Sequence, residues 1–330
     1  MAASCIVLMS EVAGDQNRLQ PWGYQYLVIG LGLVAFPQAD AFRLARLYAI
    51  SLYFYSGLSK FDVSFVDELG PTFLTAGLAP IGLNPGLWGN IARTSAILAM
   101  PAIEILIAVG LVFESTRRAA LIGALGLHAT LIGILGPWNL DHSTNVLIWN
   151  GALFCQDLVL FGNDRIAIPI EPGGRIRHHG LNLLHACVII FPVGERFGLY
   201  DSWPSHALYA SHCERTEVYL AEAALDQFSK AVLRHVAEST DGTWCKLDLT
   251  GWSREIRGTP LYPQGRVGSG LAEALATGQT GPLPVRVLQW SRANPWNGQR
   301  TLVECLGLRA IRRRGDRFWI NAHPSPELPH

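Results

Sequence analysis

Glu104 and His128 are titratable residues set inside long apolar runs, where an ionisable group is expensive and so a functional candidate by default. Glu104 follows Pro101 by three positions, and a proline ring there kinks or loosens the surrounding helix. The two runs are joined by a short turn at 114–118, which makes them antiparallel neighbours. Glu104 lies nine residues before Phe113 and His128 nine after Ala119. At about 1.5 Å per residue, both sit roughly 13 Å from the turn and therefore at matched depth. A carboxylate and an imidazole at one depth can share a proton, bind a quinone headgroup or hold a metal. The plainer alternative is an interhelical hydrogen bond that holds a bundle together. Metal binding is the weakest version, because two ligands fall short of the three or more that most sites need.

A second constellation is Gly136-Pro-Trp-Asn-Leu-Asp-His-Ser-Thr-Asn145, followed by Trp149 and Asn150. Asp141 and His142 crowd this short loop, and His142 is a candidate proton donor at a site entrance. The plain reading is an exposed loop histidine, with Ser143 or Thr144 capping the next helix. The third is Tyr53-Phe-Tyr-Ser-Gly-Leu-Ser-Lys-Phe-Asp62. Gly57, Ser56 and Ser59 offer a small-residue face for close helix packing, and Lys60 is expected to snorkel and pair with Asp62. His178, His179 and His185 resemble a ligand cluster but read better as a solvated helix start.

Positioning these groups falls to a series of apolar segments, at 24–37, 44–58, 91–113, 119–135, 146–161 and 181–198. Apolar residues make up 49% of the 330-residue chain and charged ones 16%, against roughly 25% charged in ordinary soluble domains. The fold class expected is mainly α, a polytopic transmembrane bundle of about six spans over 1–212. A small soluble α/β domain follows over 213–330. Strand-like stretches there are 217–220, 246–249 and 284–290, with helices at 221–237 and 270–277, a solvated charge cluster at 312–316 and a close at 318–321. Residues 1–13 read as the possible stump of a truncated extra helix.

Basic residues set the expected orientation. Arg43, Arg46, Arg117, Arg118, Arg165, Arg175 and Arg177 fall in loops on one side, against Lys60 and Arg93 on the other. The 137–145 loop and the C-terminal domain are thereby placed outside the cytoplasm of a multi-pass inner-membrane protein, with the lipid bilayer as the first partner. A net charge of zero argues against nucleic acid as a partner. The six cysteines form no C-x-x-C pair, so neither a zinc ribbon nor a thioredoxin-type motif follows. Walker A, G-x-G-x-x-G, H-E-x-x-H and G-x-S-x-G motifs are all lacking.

With these positions in hand, the chain resembles the MauE/DoxX group of redox-associated bacterial membrane proteins. The resemblance rests on Gln16-Asn-Arg-Leu-Gln-Pro-Trp-Gly-Tyr-Gln-Tyr26, Ser56-Gly-Leu-Ser-Lys60, the intramembrane Glu104, His128 and the Gly136-Pro-Trp run. It covers about 15–205 and implies a helical bundle in the inner membrane. Relatives are linked to methylamine dehydrogenase maturation and quinone-coupled sulfur oxidation. The function it implies is an accessory or maturation role beside a periplasmic redox protein, with quinone as the cofactor or partner. This chain lacks a membrane cysteine pair that could pass disulfides, and it carries an appended domain. A more distant likeness, to the membrane domain of vitamin K-dependent carboxylase-like proteins, rests on Tyr200-Asp-Ser-Trp-Pro-Ser-His-Ala-Leu-Tyr209 and implies an enzyme. A structural assembly protein is the third reading.

Overall fold

The computed structural model describes residues 1–162, 175–239, 242–279, 284–320 and 322–324, without the side chains of 175–178. Arg165 and the side chains of Arg175, Arg177 and His178 thus lie outside the described residues. The chain forms two compact units, one of residues 1–9, 21–212 and 295–298, the other of 10–20, 213–294 and 299–330.

The first unit is helical. After α1 (Ala2–Gly14) come α2 (Pro21–Ala35), α3 (Gln38–Leu58), α4 (Val63–Asp67), α5 (Leu69–Leu78), α6 (Asn90–Val112), α7 (Glu114–Leu135), α8 (Thr144–Phe161) and α9 (Arg175–Ile189). Four helices are long and apolar enough to cross a membrane: Asn90–Val112, Glu114–Leu135, Thr144–Phe161 and His179–Phe197. Their outer faces carry large apolar side chains in the open, Leu106 at 68% and Ile122 at 67% exposure. Apolar surface of that kind is costly to leave in water.

The other two expected spans differ from that description for separate reasons. Helix α2 has 15 residues, about 22 Å of rise against a hydrocarbon core of about 30 Å. Helix α3 is long enough at 21 residues, but Asp40, Arg43, Arg46, Ser51, Tyr53 and Ser56 make it too polar. Its polarity follows from its place: α3 packs against α2, α6, α8 and α9, and Leu44 and Tyr48 are fully buried. An interior helix can carry polar groups because its neighbours satisfy them. Ser143 occupies the N-cap of α8, yet its side chain makes no capping bond, contrary to the expectation for it.

The second unit is built on an antiparallel four-stranded sheet in the order β2-β1-β3-β4, with β1 Arg215–Ala221, β2 Trp244–Leu247, β3 Val285–Trp290 and β4 Leu302–Leu306. Val218 faces Val287, and Val287 faces Cys305. The period of two puts Val285 and Val287 in a core with Val218, Leu220 and Leu247. Helices α10 (Lys230–Leu233), α11 (Leu249–Arg257), α12 (Gly265–Ala276) and α13 (Gly307–Gly315) complete the unit.

Several boundaries differ from the sequence expectation. The single helix at 221–237 is instead a 3₁₀ segment, Glu222–Gln227, then α10. Phe228 breaks it by turning extended (φ −99°, ψ 149°), and Ser229 caps the second piece on Val232 N–H. Strand β2 stops at Leu247 because Asp248 accepts from Gly251 N–H at 2.9 Å and starts α11. The unit closes through β4 and α13, while Phe318 N–H turns back onto Gly315 O. The charge cluster at 312–316 falls on the last turn of α13, where Arg312 Nε reaches Glu273 at 2.7 Å.

Candidate functional site

The site begins with a close helix crossing. A β-carbon added at Gly57 would lie 2.7 Å from Pro101 O and 3.1 Å from Glu104 Cβ, so only glycine lets α3 approach α6 here. One turn on, α3 ends and presents Lys60. Its Nζ donates to both carboxylate oxygens of Glu104 at 2.9 Å, to Ser56 Oγ at 2.7 Å and to Ser56 O at 3.0 Å. The Lys60 and Glu104 side chains are only 7% and 12% exposed. Two charges so withdrawn from water are tolerable only as a hydrogen-bonded pair.

The expected Lys60–Asp62 pair does not form. Asp62 instead caps α4, accepting from Phe65 N–H at 2.7 Å, and its other oxygen contacts His212 Nδ1 at 2.7 Å. Both Asp62 oxygens are thus engaged elsewhere, while Lys60 is held by Ser56 and Glu104.

His128, on α7, is held by α3 and α8. Its Nε2 lies 2.6 Å from Tyr53 Oη, and its Nδ1 3.0 Å from Asn150 Oδ1. Asn150 Nδ2 donates to Val146 O at 2.9 Å, which turns Oδ1 toward the imidazole. Tyr53 Oη in turn donates to Asp157 Oδ2, and Asp157 Oδ2 stands 3.6 Å from His128 Nε2. Tyr53, His128 and Asp157 are all 2% exposed or less.

Glu104 and His128 are therefore brought together, but not as partners. Glu104 bonds Lys60 and His128 bonds Tyr53 and Asn150, while all five residues line one cavity of about 310 Å³. The rest of the wall is mainly apolar, with Phe65, Phe73, Met100, Ile103, Leu127 and Leu131 among its residues. Chemically, the cavity offers one ammonium–carboxylate pair and one phenol–imidazole pair to a largely apolar guest.

The Asp141–His142 loop stands at one remove. Asp141 is exposed and adopts a left-handed backbone with φ 48°, which aspartate accepts more readily than most residues. His142 packs edge-on against Tyr209 with centroids 5.7 Å apart, and Tyr209 lines the cavity. The loop thus touches the site through Tyr209 rather than by placing Asp141 or His142 in its wall. His179 is exposed, and His185 Nε2 is buried with no hydrogen-bond partner among the described residues.

A second buried cluster joins Asp62, Glu195 and His212. The imidazole sits between the two carboxylates, Nδ1 at 2.7 Å from Asp62 and Nε2 at 3.0 Å from Glu195. Arg196 Nη1 adds a cation 3.5 Å from Asp62. Burial alone would lower the His212 pKa, but the hydrogen bonds it donates to Asp62 and Glu195, and their negative charge, outweigh it and the net shift is upward.

Sequence reasoning missed Asp157 and gave Tyr53 only a packing role. The available signal was a carboxylate inside the 146–161 apolar run, the same signal that singled out Glu104. Compared with protein-family models, curated proteins and solved structures, the chain has no match.

Proposed function

We propose that the first unit binds a proton-exchanging aromatic or quinone-type headgroup in the cavity between α3, α6, α7 and α8. One observation carries this reading: Lys60–Glu104 and Tyr53–His128 open onto the same apolar chamber. A quinone ring is flat and apolar with an oxygen at each end, so it needs apolar walls and a few hydrogen-bond donors. Lys60 and the Tyr53–His128 pair supply donors, and Phe65, Phe73, Leu127 and Leu131 supply walls. A sugar or a free metal ion would call for a far more polar lining.

On this reading the protein is a redox-associated, multi-pass inner-membrane protein, in line with the MauE/DoxX resemblance, and serves beside a periplasmic redox partner. The apolar outer faces of α6, α7 and α8 support the membrane setting. The test is extraction of the full chain, purified in mild detergent, with organic solvent. The expected result is quinone in near-stoichiometric amount, sharply reduced in Glu104→Gln and His128→Ala. Quinone at background level in the wild type, or equal amounts in all three proteins, would overturn the reading.

A further inference from the structure

Asp157 is a carboxylate at 1% exposure inside a helix apolar enough to cross a membrane. Its Oδ1 has no hydrogen-bond partner among the described residues, and Oδ2 accepts from Tyr53 Oη. Such a group is costly to bury and so a functional candidate.

The hydrogen-bond directions around it are informative. Asn150 can only accept through Oδ1, so His128 Nδ1 carries a proton. Tyr53 Oη stands between Asp157 Oδ2 and His128 Nε2, and two such contacts need two protons. The Tyr53 hydroxyl supplies one, and the second sits on His128 Nε2 or on Asp157 Oδ2, with the phenol bridging the two positions. Moving the Tyr53 proton to Asp157, and the Nε2 proton to Tyr53, reverses both bonds without displacing a heavy atom. The three residues form a short chain along which one proton can be relocated.

We infer that Asp157, Tyr53 and His128 hold one exchangeable proton for the cavity, and that Tyr53 Oη, backed by His128, delivers it to an oxyanion of the bound headgroup. The step moves no electrons. The ligand O–H bond forms as the Tyr53 O–H bond breaks, and Tyr53 regains a proton as the Nε2–H bond of His128, or the O–H bond of Asp157, breaks. The net change is one proton from the three-residue chain to the ligand. Asp157, acting through Tyr53, is a positioning residue that holds the shared proton until a ligand arrives. Among the described residues, titratable and charged groups stand on the elements packed around this chain. Helix α3 contributes Tyr53 and, near the far end of α8, Arg46, whose Nε donates to Leu160 O at 2.7 Å. Helix α6 contributes Glu104, already paired with Lys60, and α7 contributes His128. From α2, neutral Gln25 meets Gln156.

This inference rests on the proposed ligand class, and one experiment separates the two. The probe is a short-chain alkyl nitrophenol, whose phenol and phenolate forms absorb differently, titrated into the full chain in detergent above the free probe's own pKa. Wild-type protein is expected to bind it as the neutral phenol. Asp157→Asn and Tyr53→Phe are expected to bind it with about tenfold more phenolate at the same pH, one unit in apparent pKa. Asp157→Glu is expected to restore the phenol form. Binding as phenolate by wild type, or an unchanged phenol-to-phenolate ratio in Tyr53→Phe, would overturn the proton store while leaving the ligand class standing. Failure of wild type to bind either this probe or a short-chain quinone would overturn both. Because binding of phenolate by wild type overturns the idea by itself, a variant that fails to fold does not protect it.

Discussion

Lys60 and Glu104, 44 positions apart in the chain, are joined by two 2.9 Å hydrogen bonds, and each is more useful as half of a pair than alone. Removing one charge strands the other in an apolar wall, which costs about 3–5 kcal/mol when a buried pair is broken. Glu104→Gln and Lys60→Gln should each lower the thermal unfolding midpoint in detergent. The double variant, with no stranded charge, should recover much of that loss. Equal, additive effects in the double variant would show that the two groups do not interact.

Gly57 makes that pair reachable. A side chain there meets Pro101 O at 2.7 Å, backbone that cannot swing aside. Gly57→Val should force α3 from α6 and destabilise the unit by about 1–3 kcal/mol. It should also weaken ligand binding in step with Lys60→Gln. Unfolding and binding curves indistinguishable from wild type would remove the crossing from the account.

His212 supplies a pH signature. Its pKa is raised above the ordinary 6.5 in the fold, so the folded chain holds the proton more tightly than the unfolded chain does. That contribution is fully present below about pH 6.5 and is lost as pH rises through the raised folded value. Thermal stability should therefore fall across that window, and His212→Gln should flatten the fall. A wild-type profile that rises with pH over the same window would contradict the assignment.

Legibility in the sequence followed the range of the interactions. Glu104 and His128 stood out because a titratable residue in an apolar run is visible locally, and the short turn at 114–118 fixed their depths. Their partners were hidden because Lys60, Tyr53 and Asp157 are assembled by helix packing over separations of 44 to 104 positions. Lys60 was assigned to Asp62 on nearness in sequence, which the cap of α4 overrides. Asp62 itself turns to His212, 150 residues away, a contact no local pattern encodes. The strands at 217–220 and 284–290 were readable from alternation. Edge strand β4, with Leu302 and Leu306 exposed, carries too weak a pattern. Helix α3 reads as a span from its length, and its polarity is that of a helix packed among α2, α6, α8 and α9.

The most direct test of the cavity as a quinone-type site is a titration of the full chain, in lipid nanodiscs, with a short-chain quinone. Leu127→Trp serves as the comparison, since it adds bulk to the apolar wall and leaves the Lys60–Glu104 and Tyr53–His128 side chains in place. The account predicts saturable binding at one site per chain in the wild type. It also predicts at least tenfold weaker binding, a loss of about 1.4 kcal/mol, in both Leu127→Trp and Glu104→Gln. Binding that is linear in quinone, as for partition into lipid, or unaltered by filling the cavity, would contradict it.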